Sequence, residues 1–192
     1  SFCHGKIGTS KEFLSVIING EPIQTNLVGE YNFENVLSAV CIGKYFGVEQ
    51  KDIKSAIENY FPSNNRSQKI LYGTNTIILD AYNANPSSME EALKNFEKLE
   101  AENKVVILGE MMELGKYAKQ EHEKIVAQVE KMKLAKRVFI GHGFSFLKDN
   151  SDLLYFENAE GVKEWFNQQQ FNNFCILIKG SRKNELEKIL ND

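Results

Sequence analysis

Three short tracts hold most of the side chains able to do chemistry: Asp80-Ala-Tyr-Asn-Ala-Asn-Pro86, Gly109-Glu-Met-Met-Glu-Leu-Gly115 and Lys179-Gly-Ser-Arg182. Each follows directly on an apolar run. A carboxylate such as Asp80 can accept from two vicinal hydroxyls, the arrangement a ribose offers, while Asn83 and Asn85 can donate and accept beside it. The same three residues could equally shape a turn ahead of a helix, as Asx side chains do. Lys179-Gly180-Ser181-Arg182 could bind an anion through a glycine-freed backbone, a hydroxyl and the start of a last helix, or be a glycine turn with a capping serine. Gly109 to Gly115 could be a helix cap with solvated glutamates. On one edge, the three tracts would bring together carboxylates, amides, a hydroxyl and two cations able to grip a phosphorylated ligand.

Several other chemistries are argued against. No G-x-x-x-x-G-K-[ST] loop occurs, since Gly5-Lys6, Gly43-Lys44 and Gly115-Lys116 are never followed by Ser or Thr, so the chain is not expected to transfer phosphate by itself. Gly141-His142-Gly143 lacks the third glycine of a dinucleotide loop. His4, His122 and His142 are dispersed, and Cys3, Cys41 and Cys175 are never paired as C-x-x-C, so no protein-only metal site or disulfide framework is expected. Cys41 and Cys175 lie in apolar stretches and read as core. A net charge of -3 and a pI near 5.7, with scattered Lys and Arg, argue against nucleic acid. The pair Lys136-Arg137 reads as a solvated helix end. No apolar run nears the roughly 20 residues that span a bilayer, and the opening Ser1-Phe2-Cys3-His4-Gly5-Lys6 lacks a signal peptide's order, so a cytoplasmic location is expected.

The elements that must position these residues fall into two parts. At 192 residues the chain could form one large domain, or a small domain plus part of another. Residues 11 to 28 read as a β hairpin turning at Asn19-Gly20. Helical spacing follows, first through Val36, Ala39, Val40, Gly43 and Phe46, then through Ile53, Ala56, Ile57 and Tyr60. Phe61-Pro62-Ser63-Asn64-Asn65 has the composition of a boundary. Beyond it, apolar runs at Ile77 to Leu79, Val105 to Leu108, Val138 to Ile140, Leu153 to Phe156 and Cys175 to Ile178 alternate with amphipathic segments. The first of these opens with a capping box at Ser87-Ser88-Met89-Glu90, and the last carries Leu186, Ile189 and Leu190. Such alternation predicts a Rossmann-like α/β domain over residues 68 to 192, a mostly parallel sheet with helices on both faces.

With these residues in place, the chain resembles the Mur ligases, most closely the MurF type. Asp80-Ala-Tyr-Asn-Ala-Asn-Pro-Ser-Ser-Met89 is similar to that type's D-[SA]-Y-N-A-N-P-x-S-M, and Gly29-Glu-Tyr-Asn-Phe-Glu-Asn35 to the family's G-x-H-N-x-x-N. Asn65-Arg66-Ser67, Gly109 to Gly115 and Lys179 to Arg182 follow in the family's order. Tyr31 departs from the pattern, where His is common.

The resemblance implies residues 1 to 62 as the end of a central ATP-binding domain, 63 to 67 as a joint and 68 to 192 as the last domain, which closes over ATP. It implies an amide ligase that activates UDP-N-acetylmuramoyl-tripeptide with ATP to an acyl phosphate and joins it to D-alanyl-D-alanine in peptidoglycan precursor synthesis. Asn32, Asn35, Arg66, Asp80, Tyr82 and Asn83 would bind nucleotide. Arg66 and Lys179 would be catalytic, and Asn85, Ser181 and Arg182 would meet substrate. Mg2+ would be held mainly by residues of the parent enzyme outside this chain, which alone would be inactive. Asp80→Ala would weaken ATP binding with little loss of folding. The other readings are a related amino-acid or folate-type ligase domain and a non-catalytic α/β binding module. Glu110, Glu113 and His122 are assigned no role.

Overall fold

Hydrogen-bonded pairing sorts the strands into two sheets, one in each of two compact units, Ser1–Ser63 and Asn64–Asp192. The computed structural model describes residues 3–9 and 13–190, so Ser1-Phe2 and the expected β residues Lys11 and Glu12 lie outside the described residues. In the first unit β1 (Gly5–Ile7), β2 (Ser15–Ile18) and β3 (Glu21–Gln24) form an antiparallel sheet, with β2 and β3 joined by the expected Asn19-Gly20 turn. Strand β1 is exposed throughout and has no apolar alternation for a sequence reading to catch. Helices α1 (Phe33–Tyr45) and α2 (Gln50–Glu58) follow, and Val36, Val40 and Ile53 bury against Val16, Ile18 and Ile23.

The second unit is built on six strands: β4 (Gln68–Tyr72), β5 (Asn75–Asp80), β6 (Asn103–Gly109), β7 (Lys136–Ile140), β8 (Leu154–Phe156) and β9 (Phe174–Lys179). Their spatial order is β4-β5-β9-β6-β7-β8, antiparallel only between β4 and β5. Strand β4 is an edge strand, half exposed and mixed in polarity, which is why apolar runs alone do not reveal it.

Three helices join the parallel strands: α3 (Pro86–Lys98), α4 (Ala118–Glu130) and α5 (Ala159–Gln168). Helices α3 and α4 carry the chain one way across the sheet and α5 carries it back. Right-handed crossovers therefore put α5 on the opposite face from the other two. Burial follows that division. Ile77, Leu79, Val105, Ile107, Val138, Ile140, Ile176 and Ile178 pack with Ala159, Val162 and Phe166 of α5. The alternate residues Ile78, Val106, Leu108, Phe139 and Leu177 are buried on the other side, where α3 and α4 offer Met89, Leu93, Phe96, Ile125 and Val129.

Local expectations change in three places. Helix α3 begins two residues early: Asn85 is its N-cap, the capping box pairs Asn85 with Ser88, and Pro86 takes the first helical position, where its missing N–H is harmless. Lys136-Arg137 opens β7, and the Arg137 guanidinium donates to the carbonyls of Val129 and Met132 at the end of α4. No α-helix forms over Leu186 to Leu190. Instead 3-10 turns at Arg182–Asn184 and Leu186–Ile189 flank Glu185, whose left-handed φ of 50° interrupts the helical path. The three-residue spacing of Leu186 and Ile189 suits such a turn, and both side chains bury in the α5-side core. Cys175 is buried and Cys41 half-buried. Among the described residues no helix is long and apolar enough to cross a membrane.

Candidate functional site

Strand β9 is last in sequence yet lies between β5 and β6, so the strand order reverses there. Ligands of open α/β sheets bind beyond the carboxyl ends of strands at such a reversal. The three polar tracts leave the sheet from these three strands.

Register decides what the tracts do. Asp80 and Lys179 are partners across β5 and β9, and in-register residues of a parallel pair project to the same face. Lys179 Nζ accordingly donates to Asp80 Oδ2 at 2.5 Å and to the Asn83 carbonyl at 3.1 Å. Asp80 Oδ1 accepts from the Ser67 N–H at 3.2 Å. The Lys179 side chain is only 2% exposed and that of Asp80 14%, so each charge depends on the other. In this structure the Lys179 ammonium, expected to face a ligand, points inward and fastens the loop. Each Asp80 oxygen retains a lone pair beyond its one partner, so a hydroxyl could still donate to it.

Beside this pair stands Arg66, flanked by Asn65 and Ser67 in left-handed conformations (φ 58° and 49°). Its guanidinium carbon lies 3.8 Å from the centroid of the Tyr82 ring. Arg66 is exposed and Tyr82 is 44% exposed, and among the described residues no carboxylate pairs with Arg66. A guanidinium resting on a ring keeps its N–H donors at its edges, the form suited to phosphate oxygens. Asn83 is exposed next to Tyr82. Asn85 has a local task, since its Oδ1 accepts from the Ser88 N–H at 2.8 Å and the Ser87 hydroxyl at 3.0 Å. Asn85 thus shapes the turn that opens α3.

The tract after β9 also turns inward. Ser181 is buried, with its N–H and hydroxyl both donating to Asn184 Oδ1 at 3.0 and 2.8 Å. At Gly180 a Cβ would stand 2.7 Å from Leu186 Cδ1, so the missing side chain makes room for the chain's own following turn rather than for an anion. Ser181, expected to meet substrate, caps the following turn in this structure. Arg182 remains exposed and pairs with Glu187 Oε1 at 2.5 Å.

The loop after β6 is fastened by a residue to which the sequence reading gave no role. His122 of α4 is 1% exposed; its Nε2 accepts from the Met111 N–H at 2.9 Å and its Nδ1 lies 2.7 Å from the Ala118 carbonyl. Those partners define the neutral tautomer protonated at Nδ1. The ring also meets Phe144 edge-on, with centroids 4.6 Å apart. Glu110 Oε2 accepts from the Gly143 N–H at 2.8 Å, tying this loop to the one after β7. Burial, then Glu157 and Glu110, push the Tyr155 phenol above its ordinary range. The signal for His122 was present in the sequence: it lies three and four residues before Ile125 and Val126, on the buried stripe of α4.

In the first unit, Asn32 is buried, its Nδ2 donating to the Val28 carbonyl at 2.9 Å and its Oδ1 accepting from Asn35 Nδ2 at 3.1 Å. Asn32 orients Asn35, and Asn35 is the exposed member of the pair. Tyr31 folds over Gly29, where a Cβ would meet the ring at 2.4 Å. Among the described residues no group of three or more His, Cys, Asp or Glu is placed to hold a metal ion.

This geometry coincides with a family match: the model of the Mur ligase glutamate ligase domain fits residues 65–182. The chain belongs to the Mur ligase family. Among curated relatives, the UDP-N-acetylmuramoyl-tripeptide--D-alanyl-D-alanine ligase of Borreliella burgdorferi is 28% identical over 100% of this chain and 41% of that protein. The ligase of the same name from Bacillus subtilis is 28% identical over 86% of the chain and 38% of that protein. The chain thus spans about two fifths of the length of these relatives. Among solved structures, MurF from Acinetobacter baumannii superposes with a TM-score of 0.83 at 23% identity, covering 96% of this chain and 43% of that one. The likeness shows a shared fold, and the Rossmann-like α/β class expected from the alternation is the observed one.

Proposed function

We infer that this chain is part of an ATP-dependent ligase that joins D-alanyl-D-alanine to UDP-N-acetylmuramoyl-tripeptide, acting in the cytoplasm on a peptidoglycan precursor. The observation that carries the reading is the Arg66 guanidinium held over Tyr82 beside Asp80, at the sheet reversal where nucleotides bind this class of fold. The names of the relatives support the substrates. A structure of the Thermotoga maritima MurF ligase in complex with ADP, which has the same fold at a TM-score of 0.80, supports the nucleotide.

In this account ATP is a substrate. The tripeptide carboxylate takes its terminal phosphoryl group to give an acyl phosphate and ADP, and the dipeptide amine then displaces phosphate to form the amide. Arg66 would neutralise the transferring phosphoryl oxygens and Asp80 would accept from the ribose, with Asn83 nearby. Mg2+, when bound, would screen the phosphates. Its protein ligands would belong mainly to the rest of the parent enzyme. Residues 1 to 62 would be the end of the ATP-binding domain, 63 to 67 the joint and 68 to 192 the last domain, and turnover would require the whole enzyme. Lys179 would act by holding Asp80, and Arg182 is the residue of its tract still placed to meet substrate.

The test is phosphate release by the full-length protein. Release is expected only when ATP, UDP-N-acetylmuramoyl-tripeptide and D-alanyl-D-alanine are all present. Equal release with unrelated amino acids, or with a folate acceptor and glutamate, would refute the assignment.

A further inference from the structure

The expectation from resemblance gives Tyr82 a contact with nucleotide, yet the ring already carries Arg66 on one face at 3.8 Å. That face is closed to a stacking base. The backbone that carries the ring is fixed from both sides: Ala81 and Ala84 are buried, and the Asn83 carbonyl is held by Lys179. Arg66 has no such support. It sits between two left-handed residues, and the nearest anchor of its segment is the Ser67 N–H on Asp80. A long exposed side chain without a counter-ion samples many rotamers, and ordering it on binding weakens the interaction it makes.

We propose that Tyr82 is a positioning residue, whose ring face holds Arg66 ready for the phosphates and which acts on the nucleotide through Arg66. The proposal rests on reading this edge as a nucleotide site. Lys179, Asp80 and Ser67 set the backbone on either side of the stack, and the ring sets the guanidinium. The phenolic oxygen is not required, because the attraction lies between the cation and the ring face.

The test is a double-mutant cycle in the full-length protein, reading affinity for a non-hydrolysable ATP analogue by calorimetry. Tyr82→Leu is expected to weaken binding about two- to five-fold, the range of an exposed cation–ring contact. Tyr82→Phe should restore most of that loss, and in an Arg66→Ala background Tyr82→Leu should cause no further loss. Equal losses with and without Arg66, or a Tyr82→Phe protein as weak as Tyr82→Leu, would overturn the role. Binding unaltered by Tyr82→Leu would overturn it too, while leaving the nucleotide reading intact. A wild-type protein that binds no analogue would remove both.

Discussion

The loops that follow β5 and β6 leave the same sheet edge, and each is fastened by one buried ionisable side chain from another element. Lys179 fastens the first as a charge, against Asp80 and the Asn83 carbonyl. His122 fastens the second as a neutral ring, between the Met111 N–H and the Ala118 carbonyl. The difference lies in what each loop presents outward. The charged fastening leaves Tyr82, Asn83 and the neighbouring Arg66 exposed, whereas in the second loop Met111 is buried and Glu110 is bound to the loop after β7. The first loop thus presents a ring, an amide and a neighbouring guanidinium, whereas residues 110 and 111 of the second are held by contacts within the fold.

The comparison breaks most visibly at Asp80. Removing it strands the Lys179 ammonium at 2% exposure, and breaking a buried pair from one side costs about 3–5 kcal/mol. Asp80→Ala should therefore lower unfolding free energy by that order in urea denaturation, and Asp80→Ala with Lys179→Met should recover part of it. This replaces the expectation that Asp80 could be lost with little effect on folding. A single mutant as stable as wild type would show that the pair fastens nothing. The neutral fastening should matter less. His122→Ala leaves the Met111 N–H without its buried partner and removes the edge contact with Phe144, a loss of about 2–3 kcal/mol. Thermal unfolding would report it, and a change below roughly 0.5 kcal/mol, typical of surface substitutions, would assign the loop's order to other contacts.

Much of the fold was legible because buried parallel strands are short apolar runs that differ sharply from the helices between them. The edge strands β1 and β4 were not, since a strand with one solvated side needs no such run. At the site, sequence marked the tracts that leave the strand reversal but not the direction of their side chains. Lys179 closes a run of four buried apolar residues, and a cation there implies a partner; only the register names Asp80. Ser181 was legible as a cap and Asn85 as a turn former, and each was also legible as a ligand, because the same hydroxyl and amide serve either use. The stack of Arg66 on Tyr82 leaves no periodic trace, as it joins two loops across sixteen positions of sequence.

On the proposed function, the β5 side of this edge meets nucleotide and the β6 side does not. Hydrogen exchange of the full-length protein, with and without a non-hydrolysable ATP analogue and Mg2+, tests it directly. Slower exchange is expected in peptides spanning Asn65 to Ser67 and Asp80 to Asn83, with Glu110 to Gly115 unchanged. Protection confined to Glu110 to Gly115 would put the nucleotide on the β6 side instead.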